Sequence, residues 1–157
     1  MFISNKTKIL VFTLFTLFSA NAFSATLEDL LESRQGVMKL YAVNIDYLGD
    51  MIRERIPYNK KAAQDAADNL MALAKLHTYI LWPQGSGMDN PQLKGKTAAK
   101  PEIWQNKQEV NLLQQDLVAA LEVLVYNASW SLEGVSNSIK DVNRACVACH
   151  NKYMVEN

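Results

Sequence analysis

The sequence predicts an all-α protein, an antiparallel four-helix bundle, on three observations. Beyond residue 26 apolar side chains recur at alternating steps of three and four, the period of one helix face. No alternation of apolar and polar residues runs longer than about five positions, so strands find no support. Turn chemistry concentrates in one long stretch, Trp82 to Pro101, leaving four helical segments with two short connections and one longer one.

The chain's 157 residues, 49% hydrophobic and 20% charged, suit one globular domain and exclude a multidomain enzyme. Residues 1–22 read as an export signal, with cleavage between 22 and 25. Lys6 and Lys8 form the positive start, Ile9 to Ala20 the apolar run, and Ala20-Asn21-Ala22 the small-x-small site. A retained anchor needs about 20 apolar residues, and Asn21 interrupts the run before that length. Loss of Lys6 and Lys8 takes the net charge from 0 to −2. The product, residues 26–157, is expected to be a mildly acidic domain of an oxidising compartment, the periplasm, with no membrane anchor left. Sixteen basic residues balance sixteen acidic ones and no basic run of five occurs, so no nucleic-acid partner is expected.

The first helix carries Leu27, Leu31, Arg34, Met38, Tyr41, Ile45, Leu48 and Ile52 on its seam, and Pro57 is expected to end it. Asn59 suits the cap of a second helix that turns Ala63, Ala67, Leu70, Ala74 and His77 inward. A third helix restarts at Pro101-Glu102, where proline fits the first helical position. Its seam is Ile103, Asn106, Val110, Leu113, Leu117, Ala120 and Leu124. The last helix places Leu132, Val135, Ile139, Val142, Cys146, Cys149 and Tyr153 on one face.

Cys146-Val147-Ala148-Cys149-His150 is C-x-x-C-H, the attachment sequence for a c-type haem, and it uses both cysteines of the chain. Thiols three apart on a helix share a face and can both add to one porphyrin, while the adjacent histidine can reach the iron. Both cysteines fall on the apolar seam, so the macrocycle would enter the bundle interior. A disulfide would staple only a few residues within one helix and leave His150 unexplained. A thiol-redox pair needs its reactive cysteine at a helix start, whereas this pair sits in the last turns. A zinc site would need a fourth ligand, for which only His77 is at hand as a second histidine.

Arg34 lies on the seam, where a charge needs an anion; a haem propionate is one solution, and a stem that snorkels to water is the other. Met38 is one turn further along the same face. A seam methionine usually fills a core, but opposite a porphyrin its thioether can be the sixth ligand of iron. Met71 and Met88 are weaker candidates, and His77 a weaker one again.

Taken together, these residues resemble the class II c-type cytochromes, cytochrome c prime and its low-spin relatives. The resemblance rests on Arg34-Gln35 before Met38, Leu81-Trp82-Pro83 leading into the Gly-rich loop, Lys100-Pro101-Glu102-Ile103-Trp104, and a C-terminal C-x-x-C-H followed by Tyr153. It implies one haem c held covalently near the C-terminus of the bundle through Cys146 and Cys149. His150 would be the iron ligand, Arg34 and Gln35 would lie at the propionates, and Tyr153 would lie against the ring. In six-coordinate members the distal residue, here Met38, binds iron, while some five-coordinate members carry methionine there without a bond. The chain is therefore expected to be a periplasmic one-electron carrier serving redox partner proteins; the alternative is a five-coordinate protein binding nitric oxide or carbon monoxide. A peroxidase would need a distal acid or base that neither Arg34 nor His77 clearly supplies. The resemblance further implies a homodimer through the first two helices, and the off-seam stripe Gly36, Leu40, Val43, Tyr47 and Met51 fits either that or contact with neighbouring helices. Lys94, Lys96 and Lys100 could steer an acidic partner or simply solvate their loop. Met154 departs from the family, which commonly has a basic residue after the aromatic.

Overall fold

The computed structural model describes residues 25–155; the export signal assigned to residues 1–22 lies outside them. The helices are α1 (Leu27–Ile52), α2 (Lys60–Ala74), a single turn α3 (Glu102–Gln105), α4 (Lys107–Ala128) and α5 (Leu132–Tyr153). No helix among the described residues is long and apolar enough to cross a membrane. Four long helices form an antiparallel bundle in which α1 packs on α2, α2 on α4, α4 on α5, and α5 back on α1. Between α2 and α3 runs the long connection, residues 75–101, which starts seven residues before the predicted Trp82 and holds short 3-10 turns at Thr78–Leu81 and Pro91–Leu93.

Capping explains where most helices begin. Thr26 accepts from the Asp29 amide at 3.1 Å while the Asp29 carboxylate accepts from the Thr26 amide at 2.8 Å, a complete capping box. Asn59 caps α2 as expected, and Ser131 caps α5 through the Gly134 amide at 3.0 Å.

The structure corrects the sequence expectations at three places. Pro57 does not end α1. The helix closes five residues earlier, where Glu54 turns left-handed at φ 56° and its amide donates to the Met51 carbonyl at 3.1 Å. The Arg55 amide reaches back to the Asp50 carbonyl at 2.9 Å, which completes a Schellman closure. A side chain is strained in that left-handed conformation. Glu54→Gly is expected to stabilise the fold by about 0.5–1 kcal/mol, read as a higher midpoint in urea; no change or a lower midpoint would show that the Glu54 side chain makes up the difference. Second, His77 does not continue the α2 seam. The helix stops at Ala74 with Lys75 as its cap, and His77 stands exposed at the start of the next turn. Third, the third helix is broken at Asn106, whose φ −108° and ψ 42° leave the helical region. Asn106 consequently faces solvent, while Leu121 and Leu124 on the unbroken α4 are fully buried.

The main core fills the end of the bundle remote from the C-x-x-C-H motif. It is built of Leu48 and Met51 from α1, Ala63, Ala67 and Leu70 from α2, Leu121 and Leu124 from α4, and Val135 and Val142 from α5. Small alanines on α2 let its neighbours approach closely, and Cys146 packs at the edge of this cluster.

Candidate functional site

The two cysteines lie in the last two turns of α5, on the same face one turn apart, and both are half-buried. Burial pushes both thiols up from the ordinary cysteine range, with the neighbouring Cys149 adding to the effect at Cys146. They are therefore neutral thiols at pH 7, unlike the thiolates of a redox pair or a metal site. Among the described residues no group of three or more histidine, cysteine or acidic side chains could hold a metal ion. His150 follows on the next position and is exposed.

Across from this face stands the N-terminal half of α1. Tyr41 is half-buried beside Cys146, and burial together with that thiol pushes its phenol up to about 12. One turn before Tyr41 on the same face is Met38, and one turn before Met38 is Arg34. The seam is unevenly covered: Leu48 is fully buried, whereas Met38 is 44% exposed. A seam buried at Leu31, Arg34 and Leu48 but open at Met38, on the face of α1 that confronts the two thiols, fits a large, flat, apolar group fastened between α1 and α5.

Arg34 is buried, with only 4% of its surface exposed, so its guanidinium does not snorkel to water. It donates to Ser86 Oγ, to the Ser86 carbonyl and to Thr97 Oγ1, each at 3.1 Å, and lies 4.1 Å from the centre of the Trp82 ring. All these partners are neutral. Burial lowers the pKa of this guanidinium, as it does for any cation held away from water. A buried positive charge with only neutral partners is suited to an anion, which a propionate would be. Gln35 instead reaches the long connection, donating to the Lys96 carbonyl at 2.7 Å.

Sequence reasoning missed the groups that hold Arg34. Ser86 and Thr97 lie in the long connection, 52 and 63 residues away in the chain, and no local spacing announces the contact. Trp82 belonged to a recognised motif but had no assigned role; it stacks on Arg34 and accepts at its carbonyl from the Trp104 indole at 2.9 Å. Gly87 makes that packing possible, because a Cβ there would lie 2.9 Å from the Trp104 ring and 3.2 Å from the Ala99 carbonyl. The connection is also tied to the tail beyond the motif: the Lys100 amide donates to the Tyr153 carbonyl and the Val155 amide to the Ala98 carbonyl, both at 2.9 Å. Two of the three loop lysines have structural work, Lys96 pairing with Glu28 at 2.6 Å and Lys100 capping carbonyls of Asn151 and Lys152.

Tyr153 is buried one turn beyond Cys149, and its hydroxyl donates to Glu109 Oε2 at 2.7 Å. Lys152 also pairs with Glu109 and, with Tyr153, holds that carboxyl below its usual range. Burial, then the Glu109 bond, push the Tyr153 phenol from 10.0 up to about 12. Its neutral form is thus favoured by folding, which contributes stability that is complete below pH 10 and lost as pH rises towards 12. Urea midpoints measured between those values should fall with pH, and Tyr153→Phe should flatten the decline; an equally steep decline in the variant would place the ionisation elsewhere.

Residues 29–154 match the family model described as Cytochrome C'. The chain is 31% identical over 127 residues to cytochrome c-554 of Cereibacter sphaeroides, covering 81% of this chain and 93% of that one. The fold superposes on cytochrome c' from Rhodobacter spheriodes with a TM-score of 0.79 and 28% identity, covering 85% of this chain and all of that one. It also superposes, with a TM-score of 0.75, 26% identity and coverage of 85% and 99%, on a cytochrome c' described as having an unusual ligand-controlled dimer dissociation. The C-terminal C-x-x-C-H, the four-helix scaffold that presents it and this match along nearly the whole bundle make the chain a member of the cytochrome c' family, whose members bind a covalent haem c.

Proposed function

We propose that this chain is an exported, periplasmic one-electron carrier whose haem c, linked through Cys146 and Cys149, has His150 and Met38 as its axial ligands. The haem iron supplies the ferric/ferrous couple; the polypeptide supplies position, burial and charge. One observation carries the choice of Met38: its thioether sits between buried Arg34 and Cys146-flanking Tyr41 on the α1 face that confronts the motif, yet is itself 44% exposed rather than packed as core. No second methionine shares that face. Met71 lies on α2 against the main core, and Met88 lies in the long connection. A carrier transforms no substrate, so the haem of this reading needs no distal acid or base.

A near-infrared methionine-to-iron charge-transfer band with a low-spin ferric spectrum is the expected signature. Met38→Ala should abolish the band, convert the iron to high spin and lower the reduction potential. A parent protein that is already high-spin and takes up carbon monoxide rapidly would replace electron transfer with five-coordinate gas binding.

The same α1 supports self-association. Of its off-seam stripe, Met51 is buried in the core, but Leu40, Val43 and Tyr47 are exposed, which favours a homodimer face over contact within the bundle. The similar protein with ligand-controlled dimer dissociation supports this assignment. Sedimentation at high concentration should show a dimer; a monomer there would remove it.

A further inference from the structure

The geometry points to the long connection, residues 75–101, as the surface on which an acidic electron-transfer protein docks. This inference rests on the carrier function proposed above. Large apolar side chains lie exposed along this segment: Leu76 is 53% exposed, Tyr79 80%, Ile80 57% and Met88 42%. Tyr79 and Ile80 stand in the 3-10 turn that ends at Trp82, and Trp82 lies on the guanidinium of Arg34. Through Trp82 this turn is joined to the side chain assigned to the propionate edge of the haem.

Charge identifies the occupant. The connection holds Lys75, Lys94, Lys96 and Lys100 against a single acid, Asp89. Lys96 is neutralised by Glu28 from α1, and the others have no carboxylate partner among the described residues. The segment thus remains positive, while the exported chain as a whole carries −2. A segment that carries both exposed apolar side chains and unpaired cations, on a molecule of opposite net charge, suits a partner with an acidic surface: the local field orients the encounter and the apolar side chains hold it briefly. Anionic lipid would be attracted by the same lysines, but each contributes little at a membrane surface, and the few free cations here give weak adsorption.

The redox-inert anion hexacyanochromate(III) tests the surface on the haem-loaded protein, with diamagnetic hexacyanocobaltate(III) as reference. Paramagnetic broadening of amide signals should centre on Leu76–Trp82 and Lys94, disappear in Lys75→Glu/Lys94→Glu, and persist in Lys140→Glu on α5. Oxidation of the ferrous protein by ferricyanide should slow as salt is added, despite the negative net charge, and the double charge reversal should slow it roughly tenfold at low ionic strength. Broadening centred instead on Arg53, Arg55, Lys60 and Lys61, or a ferricyanide rate that rises with salt, would overturn the assignment. So would sedimentation of the protein with phosphatidylglycerol vesicles that is lost in the same double variant, which would make the patch a lipid contact. None of these readouts depends on Met38 ligation, so a failure here is separate from a failure of the spectroscopic test.

Discussion

Replacing both cysteines, Cys146→Ala/Cys149→Ala, is expected to abolish covalent haem: acidified organic solvent should extract all the pigment, and the intact mass should be that of the bare processed chain. The two thiols lie one helical turn apart on one face and are both half-buried, so both can reach one group held against that face. A thioether makes retention of the haem independent of its concentration. Without it, the haem stabilises the fold only by mass action, as RT ln(1 + [L]/Kd), and dilution removes that contribution. The thermal midpoint of the double variant should therefore depend on added haem, with each hundredfold excess over Kd contributing about 2.7 kcal/mol, whereas the parent midpoint should not. A single variant retains one link and should keep its pigment in acid solvent. Pigment that stays covalently bound in the double variant would overturn the attachment chemistry altogether.

Why the bundle was legible and parts of the site were not follows from the range of each interaction. Helix periodicity and caps are local: Thr26, Asn59 and Ser131 each satisfy amides within three residues, and the α5 seam from Leu132 to Tyr153 follows its spacing without interruption. Periodicity has no stop signal of its own, however. His77 falls in phase with Ala74 but lies past the cap of α2, and Asn106 falls in phase with Ile103 and Val110 but sits where the backbone leaves the helix. The end of α1 carries no glycine signal, because its left-handed closing residue is Glu54, so the stop visible in the sequence is Pro57 downstream. The motif was readable because its chemistry is packed into five consecutive residues. Arg34 announced its burial by its seam position, but its partners come from a connection more than fifty residues on.

With Arg34 placed at a haem propionate as proposed, it would have two separable duties, and Arg34→Leu should expose both. Three bonds of 3.1 Å and the Trp82 stack join α1 to the long connection. Their loss leaves Ser86, itself 1% exposed, without its donor, so a destabilisation of about 2–3 kcal/mol is expected, with faster amide exchange across residues 82–99. The second duty is electrostatic. If Arg34 lies at the haem as proposed, its buried charge would favour the ferrous form, which carries less positive charge, and removing it should lower the reduction potential by tens of millivolts, on the order of one unit charge acting at an effective dielectric near 20. Arg34→Lys separates the two effects. Lysine keeps the charge but not the planar fork that reaches Ser86 and Thr97 together, so the connection should loosen while the potential stays close to the parent value. If Arg34→Leu loosens the connection and leaves the potential unchanged, the guanidinium is an anchor for the loop and has no part in tuning the haem. If both variants lower the potential equally, charge is not the cause, and the connection itself must control how water reaches the haem.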